Sequence, residues 1–224
     1  LHVRANCGGG DFSAWTTYSF IGPTSGQIGI LEASAGLPIN SCFGYSYSQQ
    51  LYFANELTVA LEGETYINKI KFFYDTAPDA TANWNNWTIY MANTSKSSFD
   101  STTDWISSDE LIQVFSGNLT IPAAGNWMEI ELDSGFMWDG SSNLVIAVDE
   151  NISGYNCTAN FGVFNDPAQI ARTLLHYSDG TNANPSSPPA AIGWYYTVNT
   201  LQLETGTPPS CFVPTSLTAN TTVS

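Results

Sequence analysis

The stretch Trp127-Met128-Glu129-Ile130-Glu131-Leu132 decides the fold. Met128, Ile130 and Leu132 fall on one side of an extended chain, and Trp127, Glu129 and Glu131 fall on the other. A period of two marks a strand with one face in a core and one in water. The same rhythm recurs elsewhere. Ile70, Phe72 and Tyr74 alternate with Lys69, Lys71 and Phe73, and Trp87, Ile89 and Met91 alternate with Thr88 and Tyr90. Residues 143–149 (NLVIAVD) are continuously apolar and read as a central strand. Further strands are expected at 27–31, 49–54, 111–116, 171–177 and 195–203.

Turn chemistry separates these runs. Asp139-Gly140, Ser153-Gly154 and Asp179-Gly180 are turn dipeptides, and 182–189 is a polar, Pro-rich loop. Residues 100–111 predict a short helical turn capped by Ser107 or Ser108, with acids near its start. No long amphipathic helix and no internal repeat is evident. Many short strands with regular turns predict an all-β fold, an antiparallel β-sandwich of jelly-roll type. The expected organisation is a terminal piece at 1–21, the sandwich at 22–204, and a linker with one strand at 205–224, since TGTPP at 205–209 blocks regular pairing.

Composition narrows the function. Twenty acids against five bases leave a net charge of -15. Such a field repels a phosphate backbone and anionic lipid, so nucleic acid is excluded as a partner and membrane surfaces are disfavoured. The apolar runs are too short to insert into a bilayer. Cys7, Cys42, Cys157 and Cys211 include no CxxC pair. An even count in a Ser/Thr/Asn-rich chain predicts two disulfides and an oxidising compartment, with three pairings open. The chain begins without Met or a signal peptide, which places its expected start inside a longer precursor, whether by processing or because the sequence is a segment of it.

The residues offer little chemistry. His2 and His176 are the only histidines, His176 lies in an apolar strand pattern, and no G-x-S-x-G elbow exists. Glu129 and Glu131 share a strand face beside Trp127, an arrangement a glycosidase can use, although alternation alone predicts a solvated face. No catalytic residue is assigned, and the chain is expected not to be an enzyme. No cofactor is expected beyond structural calcium. Its candidate ligands are Asp149 and Glu150 with Asn151, Asp179 with Asn182 and Asn184, and Asp75 with Asp79, none at the spacing of a regular calcium loop. Exposed rings among Trp84, Trp87, Trp105, Trp127, Trp138 and Trp194 are candidates for stacking on sugars. Sequons begin at Asn86, Asn93, Asn118, Asn151, Asn156 and Asn220.

Both ends resemble fibronectin type III domains of the form common in secreted proteins of Bacteroidota. The opening strand of such a domain is matched by Cys211, Pro214, Thr215, Leu217, Thr218 and Ala219. Its closing strands are matched by Val3, Arg4, Ala5, Cys7, Gly8, Ser13, Trp15, Ser19 and Phe20. The order is inverted, with the closing strands first, and the middle strands are lacking. Residues 44–203 resemble a sandwich module found beside such domains, through GYSYSQQLYFANEL, INKIKFFY, WTIYMANTSKSSFDSTTDWI, LIQVFSGNLT and SNLVIAVDEN. The resemblance implies cell-surface, adhesive or structural work, often with export by the type IX route. It also implies O-glycans at Thr76 and Ser101, in Asp75-Thr76-Ala77 and Asp100-Ser101-Thr102. It would bring Cys211 close to Cys7, leaving Cys42 and Cys157 to pair within the chain or stay free.

The expected function is therefore that of an extracellular structural or adhesive module. Its expected partners are neighbouring domains, or copies of itself joined head to tail with the tail of one protomer against the head of the next. The rival expectation is a carbohydrate-binding module, which a cluster of exposed rings would favour.

Overall fold

The structure, a computed structural model, describes residues 25–75, 84–155, 157 and 159–208, together with the backbone of four short strands before residue 25. Those four are β1 (His2–Val3), β2 (Asn6–Gly8), β3 (Asp11–Phe12) and β4 (Thr16–Thr17), with β1 paired to β4 and β2 to β3. Among the described residues no helix is long and apolar enough to cross a membrane.

The remaining strands form a two-layered antiparallel sandwich. They are β5 (Ser25–Ile28), β6 (Ala33–Ala35), β7 (Tyr45–Tyr52), β8 (Tyr66–Tyr74), β9 (Trp87–Thr94), β10 (Ile112–Gly117), β11 (Asn126–Met137), β12 (Asn143–Glu150), β13 (Phe161–Asn165), β14 (Thr173–Ser178), β15 (Gly193–Tyr195), β16 (Thr197–Asn199) and β17 (Leu201–Thr205). One sheet runs β10-β9-β12-β7-β14-β15; the other runs β16-β13-β8-β17-β5, with β11 also on β8 and β6 also on β13.

The alternating patterns land as their rhythm demands. Ile70, Phe72 and Tyr74 of β8 and Met128, Ile130 and Leu132 of β11 face Trp87, Ile89 and Met91 of β9 and Leu144, Ile146 and Val148 of β12 across a dry interior. Strand β12 is central, between β9 and β7. Its other face, with Val145 and Ala147, lies under a cover of loops that contribute Phe99, Ile106, Ala183 and Ala191.

Four expectations need correction. Residues 49–54 are not one strand, because β7 stops at Tyr52 and an eight-residue helix, α1 (Ala54–Leu61), follows. The Glu56 carboxylate accepts the Phe53 N–H at 2.7 Å, and Leu57, Ala60 and Leu61 are buried, three and four residues apart on one face. Gly63, at φ 92°, follows its C-terminus. Residues 27–31 do not continue as a strand past Ile28, because Gly29 turns the chain at φ 76°. Strand β14 begins at Thr173, so Arg172 precedes it. Residues 195–203 belong to three strands, with β15 in one sheet and β16 and β17 in the other.

That crossing is fixed by a buried amide clamp. Gln50 Nε2 donates to Asn199 Oδ1 at 2.7 Å, and the Asn199 N–H donates to Gln50 Oε1 at 2.8 Å. Asn199 Nδ2 also donates to the Leu37 carbonyl at 2.8 Å. Both amides are fully buried, so each would be costly without the other. The short helical turn expected within 100–111 is present as a 3-10 turn over Ser108–Glu110, with Ser107 Oγ accepting the Asp109 N–H.

Candidate functional site

Strand β15 is the edge of its sheet, and its residues alternate between two environments. Trp194 pairs with Leu174 and sits on the loop-covered side of the sheet, 49% exposed. Tyr195, 38% exposed, pairs with Thr173 and turns toward the mouth between the two sheets. On β14, Leu175 and Tyr177 share that side; Leu175 packs with Leu37 and Val163, and Tyr177 packs against them. An open cleft of about 220 Å³ results, lined by Ala35, Leu37, Asn40, Tyr177, Tyr195 and Thr197 among others.

Both phenols are held from behind. The Phe43 ring lies against Tyr177 with centroids 4.3 Å apart. Tyr195 folds back over Gly193, where a Cβ would come within 2.8 Å of its hydroxyl. Burial raises the Tyr195 hydroxyl above the ordinary tyrosine range, and the neighbouring Tyr177 phenol adds to the shift. Among the described residues neither phenol hydroxyl makes a hydrogen bond.

The loop that carries Asn40 into the cleft is pinned. Cys42 and Cys157 form a disulfide. Beside it the Cys157 N–H donates to the Ser41 carbonyl at 2.9 Å, and Ser41 Oγ bonds both the N–H and the carbonyl of Ala159 at 3.0 Å. Asn40 Oδ1 accepts the Cys42 N–H, which ties its side chain to the same anchor.

The other candidate residues are occupied elsewhere. Glu129 lies 3.1 Å from Lys69 and 2.7 Å from Lys71, and Glu131 lies 3.7 Å from Lys69, in a ladder across β11 and β8 that Glu204 of β17 completes. Hydrogen bonds from Lys71 and Lys69 hold Glu129 below the ordinary glutamate range, the opposite of what a general acid needs. His176 places Nδ1 3.1 Å from the Ala190 carbonyl beneath the loop cover. Asp149, Tyr47 and His176 lie in register across β12, β7 and β14, all buried.

Asp149 and Glu150 are consecutive in β12 and so face opposite sides. Asp149 Oδ2 accepts from Asn151, Glu150 Oε1 accepts the Ile152 N–H, and Asp179 Oδ1 accepts the Gly44 N–H. Asn151 links Asp149 to Asn182, but no three His, Cys, Asp or Glu side chains among the described residues converge as metal ligands. Of the tryptophans, Trp84, Trp87 and Trp138 are buried, Trp105 and Trp127 are half-buried, and Trp194 is exposed.

Among the glycosylation candidates, Ser101 and Asn86 are exposed. Asn118 is exposed with its amide oxygen accepting the Asn86 N–H, Asn93 bonds backbone groups of Met137 and Asp139, and Asn151 bonds Asp149 and Asn182. Thr76, Asp79, Asn156, Asn220 and Cys211 lie outside the described residues, as does the side chain of Cys7.

Sequence reasoning missed two features. The sequence offers tryptophans for sugar stacking, whereas the cleft is lined by tyrosines that only the sheet register brings together. Sequence reasoning also passed over Arg172, whose side chain is 1% exposed and whose guanidinium grips Glu56 and Asp166. Compared with protein-family models, curated proteins and solved structures, the chain matches none.

Proposed function

We propose that the chain is an extracellular, non-enzymatic module with a structural or adhesive role. The observation that carries this reading is the pairing of the first and last sandwich strands. Ser25 of β5 lies opposite Glu204 of β17, so both flanking segments leave the sandwich from one end of one ladder, a single strand spacing apart. A module attached in this way projects from whatever its flanks join, and its remaining surface is free for contact. The Cys42–Cys157 disulfide suits an oxidising, extracellular setting. The Lys69–Lys71–Glu129 ladder gives the paired acids a structural use.

The flanks, with their fibronectin type III resemblance, supply the joining contact. The tail of one protomer lies against the head of the next, with Cys7 facing a neighbour's Cys211. The test is non-reducing electrophoresis with peptide mapping of native material. The expected result is a Cys7–Cys211 peptide and a ladder of multimers that collapses on reduction. The same peptide in a strictly monomeric species would overturn the head-to-tail contact, because adjacent flanks would then be pairing within one chain.

A second reading, a carbohydrate-binding module, is favoured by one observation, the tyrosine-lined cleft between β14, β15 and the pinned loop.

A further inference from the structure

We infer that this cleft binds one pyranose unit of a neutral glycan, with Tyr195 and Tyr177 as the stacking and hydrogen-bonding residues. The inference rests on the carbohydrate-binding reading and gives it a site.

Charge selects the class of ligand. The chain carries a net charge of -15, yet among the described residues no charged side chain lines this cleft. A second cavity, of about 400 Å³, is lined in part by Glu32 and Asp75, and a third, of about 530 Å³, by Lys96, Asp100 and Glu110. A neutral ligand is therefore matched here, in a molecule whose overall field repels anions.

Size and chemistry select within that class. Pockets that enclose drug-sized ligands span about 300–1,000 Å³. The cleft holds about 220 Å³ and is open, which fits a single ring with the rest of its chain in solvent. Its lining combines aromatic surface with polar groups that are not already spent. The two phenol hydroxyls are unengaged among the described residues, and the Asn40 amide N–H₂ is left over once its oxygen has accepted from Cys42. A pyranose has the complementary build, an apolar C–H face for the ring and hydroxyls at its edge for the donors.

The site is also preorganised. Phe43 backs Tyr177, Gly193 makes room for the Tyr195 ring, and the disulfide with the Ser41–Ala159 hydrogen bonds fixes the loop that carries Asn40. Little side-chain freedom remains to be lost on binding. Among the described residues no carboxylate lines the cleft, so recognition is independent of calcium.

The experiment is titration of the full chain with the methyl glycosides of glucose, galactose, mannose and N-acetylglucosamine, followed by ¹H–¹⁵N NMR with and without EDTA. At least one glycoside should bind with Kd on the order of millimolar, as suits one ring. Its shifts should centre on Asn40, Tyr177 and Tyr195 and be unchanged by EDTA. Tyr195→Ala should weaken binding about tenfold or more, and Tyr195→Phe by about threefold, through loss of one hydroxyl. Trp194→Ala, on the opposite side of the same strand, should leave affinity unchanged. The spectrum of each variant shows that it folds. Glycoside binding that survives Tyr195→Ala would overturn this site while leaving the carbohydrate reading intact. No binding to any of the four, or shifts at these residues only with a proline-rich peptide, would overturn both.

Discussion

Arg172 is a fully buried cation with several partners, and its removal has a calculable cost. Its guanidinium donates to both Glu56 oxygens at 2.8 and 2.5 Å, to Asp166 Oδ2 at 3.3 Å, and through Nε to the Leu51 carbonyl at 2.9 Å. The Phe53 ring lies 4.0 Å from its central carbon. Arg172→Met keeps most of the volume and removes the charge and every donor. Breaking a buried pair by deleting one partner costs about 3–5 kcal/mol, because the other charge is stranded. Asp166 is stranded in this sense, at 5% exposure, whereas Glu56 at 22% recovers part of its hydration. The expected cost is therefore near the lower bound, about 3 kcal/mol. For a chain of this size that lowers Tm by about 6–12 °C. Glu56 also accepts the Phe53 N–H at the start of α1, so amide exchange at Leu57, Ala60 and Leu61 should quicken more than exchange in β12. Thermal unfolding and exchange-detected NMR measure both. A loss below about 1 kcal/mol, with α1 still protected, would show the contact to be no better than a surface ion pair.

Three further outcomes follow from particular contacts. A Cβ at Gly26 would sit 1.7 Å from the Ala60 carbonyl oxygen, so Gly26→Ala must push α1 off β5 and should cost about 1–3 kcal/mol in urea unfolding. Burial pushes Asp149 up to about 6, so the folded chain holds a proton that the unfolded chain releases from about pH 4. Stability therefore falls as pH rises through that window; wild type should gain about 1 kcal/mol over Asp149→Asn between pH 7 and 5, and parallel pH profiles would exclude the effect. The Cys42–Cys157 bond spans 115 residues, so replacing both cysteines with alanine should lower unfolding free energy by about 2–5 kcal/mol, measured as a shift in urea midpoint.

The sandwich was legible in the sequence where strand pairing leaves a local mark. The faces of β8, β9, β11 and β12 are set by a period of two that any six residues reveal, as at 127–132. Helix α1 was hidden because β7 runs into it through Leu51, Tyr52 and Phe53 without a turn residue, and its start is marked only by Glu56 reaching back to Phe53. The break in 195–203 left only a slip of phase, with Val198 and Leu201 both in the core and no Gly or Pro between them; what divides β16 from β17 is Asn199, held by Gln50, 149 residues away. The cleft has the same character. Tyr177 and Tyr195 meet because β14 pairs with β15, and their backing residues, Phe43 and Gly193, signify nothing until that register is known.

These long-range contacts also separate the two ends of the sandwich from the cleft. The flanks leave at the β5–β17 ladder, whereas the cleft uses β14, β15, β16 and the loop carrying Asn40. The nearest covalent route from the ladder to the cleft runs back through Thr200 and Asn199. Thr200 donates its N–H to the Gly162 carbonyl and its Oγ1 to the Ile30 carbonyl, both at 3.0 Å, and Asn199 is clamped by Gln50. Tension on the two flanks therefore acts first on the Glu204–Ser25 end of the ladder, opening pairs one at a time toward Leu201 and Ile28. It then meets two fully buried residues whose polar groups would all have to be freed together, at about 1–3 kcal/mol for each buried group left unsatisfied. Fraying at that end of the ladder is thereby kept from β16 and the tyrosines, so the ladder can open at its free end while the cleft keeps its shape.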